Sequence, residues 1–270
     1  MTPAHDTSQK GDYPWWLVAL AVIAVALAVV ISSGVYRQVF SIVSAGIGIT
    51  IFVTLVGFFF ATALGLGIAL MALSDRAALR QIARFYTEVI RGIPILVLLF
   101  YIAFAGAPAL VVAINFLLSP LISAGAIEPM VVRDLSLMWR AIIALSIGYS
   151  AFIAEVFRAG ILSVDKGQIE AAKALGLSRT QRFRLVVFPQ AIRVILPPLG
   201  NDFVAMVKDS SLVSVLGVAD ITQAGKIYAS GSFRFFETYS IVAYIYLILT
   251  VGLSLGLRRL EKRMRQGQRA

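Results

Sequence analysis

The sequence predicts an all-α integral membrane protein with about six transmembrane helices. Three observations carry that class. The 270 residues are 59% hydrophobic and only 14% charged, with a mean hydropathy of +0.88, well beyond what a water-soluble domain needs. Six segments come close to or exceed the ~20 mostly apolar residues that cross a bilayer core. Placing the intervening loops alternately on two sides collects 18 of the 24 Lys and Arg residues on one of them, and that excess marks it as cytoplasmic.

A polar tail, residues 1–14, carries Lys10 and the single histidine, His5. The first span, Trp15–Ser32 within 15–33, is a clean apolar run, and Trp15 and Trp16 suit a membrane interface. A cleaved leader is the alternative, but about 18 apolar residues exceed a usual leader core, so the helix is expected to be retained. The second span, Ile42–Leu73, spaces Gly57, Ala61 and Gly65 by four, which permits close helix packing. Glu88–Val112 and Met138–Leu162 follow. The fifth, Gln190–Val215, is less apolar and is interrupted by Pro197 and Pro198. The sixth, Thr238–Leu257, again spaces Gly252 and Gly256 by four. A basic tail, 261–270, closes the chain. Both termini, the Arg76–Arg91 region and the segment between the fourth and fifth spans fall on the cytoplasmic side.

Several function classes drop out. Without cysteine, and with one histidine in a tail, there is no basis for disulfides, thiolate metal sites or Cys/His catalysis. No cluster of carboxylates at one depth points to a membrane enzyme. The net charge of +10 reflects topology, not nucleic-acid binding. Ala224-Gly225-Lys226 faintly suggests a phosphate loop, but Asp220 and Ile227 stand where a Walker A motif needs Gly and Ser or Thr. No ATP site, metal or other cofactor is expected on this chain.

One stretch is out of place between two membrane spans: EAAKALGLSRTQRFRLVVFPQ, residues 170–190. Asp165 followed by Gln168, and Ser178 followed by Gln181, have capping-box spacing, while Gly176 suits a left-handed helix stop. The segment reads as helix, turn, helix. Ile169, Ala172 and Leu175 share one face of the first helix, and Ala171, Ala172 and Ala174 allow a partner to approach closely. An interfacial helix on anionic membrane lipid, held by Arg179, Arg182 and Arg184, is the other reading.

Glu170-Ala171-Ala172, then Gly176, Val186 and Phe188-Pro189, resembles the EAA motif of ABC-transporter permease subunits. KGQIEAAKALGLS, FPQAIRVILPPLGNDF, KDSSLVSVLGVADIT and SFRFFETY, with RGIPILVLLFY and YSAFIAEVFRAGI upstream, extend it over about Ser44 to Met264. Together they are similar to the polar amino acid uptake branch, the histidine/glutamate/glutamine/arginine/opine permeases.

The resemblance implies a type I importer core of five helices within 42–260, with the N-terminal helix as an addition. It implies a cytoplasmic coupling helix at Asp165, Gly167, Glu170, Ala171, Ala172, Leu175 and Gly176. It implies further a bacterial inner membrane, two cytoplasmic ATPase subunits holding ATP and magnesium, and a second permease, either another copy or a sibling. An extracytoplasmic solute-binding protein and an amino-acid substrate complete the set.

At 1.5 Å per residue, Asp202 lies about 13 Å beyond Arg193, near the midplane of a ~30 Å core. An acid there is a functional candidate. Pro197 and Pro198 deprive the carbonyls near Arg193 and Val194 of partners, so a kink is expected just before Asn201. A broken helix beside Asn201 and Asp202 would offer amide, carboxylate and free carbonyls to a zwitterion. Pairing of Asp202 with a neighbouring helix or a dimer mate is the alternative. Lys208 and Asp209, with Ser211 beyond, either neutralise each other at an outer gate or cap the helix end.

Two passages echo each other: Glu88 with Arg91, and Glu155 with Arg158, each at i and i+3, so that each pair can close on one helix face. Ion pairs between helices are the expectation; gate residues or substrate ligands are the alternative. A self-contained secondary transporter is the competing function, but it calls for inverted repeats and an ion site and leaves the 170–190 segment without a use.

Overall fold

The computed structural model describes residues 15–266; the expected N-terminal tail with Lys10, the last residues of the basic tail and the side chains of Trp15 and Trp16 lie outside that description. Every described element is helical. α1 (Trp15–Ser32) leads into a short α2 (Gly34–Ser44), and α3 (Ile47–Ala72) is the first long apolar helix. α4 (Ala77–Gly92) precedes a span built from α5 (Ile95–Tyr101), a π turn over Ile102–Gly106 and α6 (Ala107–Leu117), after which comes a single-turn α7 (Ser119–Ser123). α8 (Leu137–Leu162) starts on Ser136, whose hydroxyl accepts from the Trp139 amide, a standard N-cap. α9 (Lys166–Ala174) and α10 (Arg179–Arg182) form the connecting segment, and a π turn at Phe183–Val187 opens into α11 (Phe188–Asp209). A 3₁₀ stretch, Ser210–Leu216, precedes α12 (Ile221–Ser232) and α13 (Phe235–Gln266).

Among the described residues, five helical stretches are long and apolar enough to cross a membrane: Gly34–Ala72, Ile95–Leu117, Leu137–Leu162, Arg179–Leu216 and Phe235–Leu260. α1 carries a shorter apolar run, Leu20–Ser32. The third span begins seven residues later than the expected Glu88. Pro94 is the reason: it cannot donate to the preceding turn, and it drives Ile93 into extended backbone (φ −100°, ψ 129°). Glu88 and Arg91 therefore belong to a separate amphipathic helix, not to a membrane span.

α8 is the centre of the bundle, with thirteen buried residues. The Gly57, Ala61, Gly65 row lets α3 close on it as expected: a methyl group at Gly65 would stand 2.9 Å from the Ser150 carbonyl oxygen. On its other side α8 meets α11 at Gly160, where an added Cβ would come within 2.3 Å of Ile195. Gly252 and Gly256 differ from the expectation, since a Cβ added at either would meet nothing within 4 Å among the described residues. α13 is instead held by α2, through Val43, Ile241 and Ile245. Nor is α11 broken: the helix runs through Pro197 and Pro198 without interruption. Two adjacent prolines remove only the bonds to Arg193 and Val194, and Ile195 and Ala191 remain buried against α8.

Candidate functional site

The segment 165–190 has the local structure its residues dictate. The Asp165 side chain accepts from the Gln168 amide at 3.2 Å, and Ser178 and Gln181 complete a reciprocal capping box. The Asp165 box is only half formed, because the Gln168 side chain accepts from Gln190 at the start of α11 instead of turning back. Gly176 ends α9 with φ +78°, a conformation that costs any residue with a Cβ. The expected common face of Ile169, Ala172 and Leu175 divides. Ala172 is buried and Ile169 packs on the cluster of Phe157, Val164, Val187 and Ile195, whereas Leu175 is 81% exposed. Gly167, Glu170 and Ala171 are exposed with it. α9 thus shows an open face of small residues and one large apolar side chain, and its other face is rooted in the α8–α11 core.

Asp202 lies on α11 in a cleft of about 320 Å³, with Arg91 from α4, Phe152 and Glu155 from α8, and Val194 and Pro198 from its own helix. Its Oδ2 is buried without a hydrogen-bond partner among the described residues, a costly state for a carboxylate oxygen unless a ligand completes it. The Arg91 guanidinium lies over the Phe152 ring, 5.5 Å from its centre, which fixes the cation by its attraction to the π face. One cation and two carboxylates face one apolar-walled space. That donor and acceptor set matches the carboxylate and ammonium ends of an amino acid. Asn201 is exposed beside it; Lys208 and Ser211 are not among the cleft's lining residues.

The echo of Glu and Arg resolves into two different arrangements. Glu155 and Arg158 close on one face of α8 as their spacing allows, in a two-pronged ion pair with Nε to Oε2 at 2.9 Å, and do not link α8 to another helix. Glu88 and Arg91 form no ion pair, because Arg91 turns to Phe152. Lys208 does not neutralise Asp209 either: Asp209 accepts from the Tyr149 hydroxyl at 2.7 Å, tying α11 to α8. A network absent from the sequence reading surrounds Asp220, which is fully buried. It caps α12 by accepting from the Gln223 amide at 2.8 Å and takes the Tyr246 hydroxyl at 3.1 Å. Burial raises its carboxyl above the usual range against the pull of those hydrogen bonds. Its spacing from Gln223 was the available sign, a capping pattern just before an apolar run.

Comparison with known proteins fits this architecture. A family model described as a binding-protein-dependent transport system inner membrane component matches residues 61–266. The chain is 36% identical to the probable amino-acid permease protein YxeN of Bacillus subtilis, over 75% of this chain and 82% of that one. It is 41% identical to the glutamine transport system permease protein GlnP of Escherichia coli, over 68% and 75%. Among solved structures, one described as an amino acid ABC transporter with histidines superposes with a TM-score of 0.67 at 38% identity, covering 84% of this chain and 95% of that chain. An inward-facing MetNI methionine ABC transporter shares the fold at 20% identity, with a TM-score of 0.64 over 86% and 99%.

Proposed function

The chain belongs to the family of binding-protein-dependent transport system inner membrane components, and from that premise we propose that it forms the translocation pathway of an ATP-driven importer for a polar amino acid. It is a multi-pass membrane permease, and permease subunits of such importers are generally non-catalytic, working with an ATPase and a binding protein. Membership sets aside the self-contained secondary transporter. The relatives described as glutamine, octopine and other amino-acid permeases support an amino acid as cargo.

The end carrying α4, α9, Arg258 and Arg259 faces the cytoplasm, a reading supported by the excess of basic residues. Two permease chains, copies or siblings, each offer one α9 to one of two ATPase subunits, which hold the ATP and magnesium. A solute-binding protein delivers cargo at the opposite end. The exposed Glu170, Ala171 and Leu175 form the contact, and Gly176 allows the chain to turn away after it. Closure of the ATPases pushes α9, and the push reaches α11 through the Gln168–Gln190 hydrogen bond and the shared core at Ile169 and Ile195. Since α11 carries Asp202, displacement at α9 changes the cleft.

The observation that carries the substrate assignment is the buried, unpartnered Asp202 oxygen in a cleft that Arg91 and Glu155 also line. The α-carboxylate goes to Arg91 and the ammonium group to Asp202. The test is ATP-driven uptake of a panel of polar amino acids into vesicles holding the chain co-purified with its ATPase. Asp202→Asn should raise KM or change the order of preference; unchanged kinetics for every amino acid would assign Asp202 a structural role.

A further inference from the structure

A second cavity, about 270 Å³, opens at the basic end between the end of α3, α4 and α8. Arg91 and Glu155 line both it and the Asp202 cleft, so the two are successive chambers with a common wall. Their charge differs. The Asp202 cleft sets Arg91 against two carboxylates, whereas the second cavity sets Arg80, Arg84, Arg91 and Arg158 against Glu88 and Glu155.

The arginines are not equally engaged. Arg80 donates to the backbone carbonyls of Ser74 and Asp75, Arg158 holds Glu155, and Arg91 lies over Phe152. Arg84 and Glu88 make neither a hydrogen bond nor an ion pair with any described residue, although i, i+4 spacing would let them meet. Two opposite charges left apart in one cavity are an arrangement suited to a ligand carrying both.

The register of α4 turns these groups inward. Arg80, Arg84, Thr87 and Arg91 follow one row over about 16 Å of helix. Ala83 and Tyr86 anchor the helix to the bundle, the Tyr86 hydroxyl meeting Ser150 Oγ at 2.7 Å. Ile82, Phe85 and Val89 are exposed on the opposite side. The row lines the cavity, and the apolar stripe stands away from it.

We infer that this cavity is a second, release-side station for amino acids with a free α-carboxylate, which Arg84 and Arg80 bind while Glu88 faces the ammonium group. The inference rests on the Asp202 cleft being the first station. A zwitterion leaving a chamber with excess negative charge for one with excess positive charge moves carboxylate first, and the shared Arg91 lies on the way. Guanidinium groups suit this handover because each can hold a carboxylate in two orientations.

The test is equilibrium binding to the permease–ATPase complex in lipid nanodiscs without binding protein. Radiolabelled L-glutamine, L-arginine, L-histidine and L-glutamate are the probes, with their α-methyl esters as competitors. At least one amino acid should bind at two equivalents per permease chain. Arg84→Ala should remove one equivalent or weaken it at least tenfold, Arg84→Lys should weaken it less, and Asp202→Asn should remove the other. Methyl esters should compete at neither carboxylate site. Two equivalents that survive Arg84→Ala, or one equivalent lost only with Asp202→Asn, would overturn the second station while leaving the first. Two equivalents that survive Asp202→Asn would count against the first station itself, and no binding in the wild-type complex would overturn both.

Discussion

The 165–190 segment and the Asp202 cleft are both expected to carry function, yet they are built in opposite ways. The segment is made by neighbours in the chain: Asp165 and Ser178 cap its two helices and Gly176 turns it, all within about a dozen residues. The cleft is made by strangers. Arg91, Glu155 and Asp202 come from three helices and meet only because α8 packs simultaneously on α4 and α11. A locally encoded surface can tolerate a changed bundle, but a cleft shared by three helices depends on every crossing that forms it.

The largest effect should follow from spoiling such a crossing. Gly160→Leu forces a side chain into Ile195, and overpacking of this kind costs about 1–3 kcal/mol. Thermal unfolding in detergent should show that loss, and uptake should fail together with ligand binding. If binding persisted at normal affinity, the cleft would not depend on the α8–α11 contact.

Breaking the other region should separate the two functions. Glu170→Lys reverses an exposed charge and leaves the core alone, so membrane insertion and binding in the cleft should survive while ATP-driven uptake falls at least ~tenfold. Such losses are the scale of a severed charged contact at an interface. Normal uptake with the ATPase still attached would remove α9 from the coupling role.

Gly176→Ala is a milder probe of the same segment. A Cβ at φ +78° costs about 1 kcal/mol, which should loosen the end of α9 and lower coupling two- to fivefold without changing amino-acid affinity. A change in KM instead of rate would mean that the two regions are less separate than they look.

The smallest effect concerns Asp220. Its folded-state carboxyl is raised by burial, so the folded protein holds that proton more tightly than the unfolded chain does. The stability contributed by this group therefore falls as pH rises from about 4, the ordinary Asp value, through the raised value. Asp220→Asn should abolish that slope, measured as melting temperature against pH. An identical slope in the variant would place the titration elsewhere.

The class, the long helices and the form of the α9 segment are legible along the chain. Apolar runs of spanning length, capping residues and a stop glycine act within a few residues of one another, and their physics needs no distant partner. The sequence also singled out Asp202, Arg91 and Glu155, each as a charge at an unusual depth or spacing. It misplaced the partner of Arg91. Pro94 detached α4 from its expected span, Arg91 reached Phe152 instead of Glu88, and of two Glu/Arg pairs that look alike in the chain only Glu155 with Arg158 closed. Which charges face one another emerges only when the helices pack, because an ion pair forms across a few ångströms of space and the chain records only distance along itself.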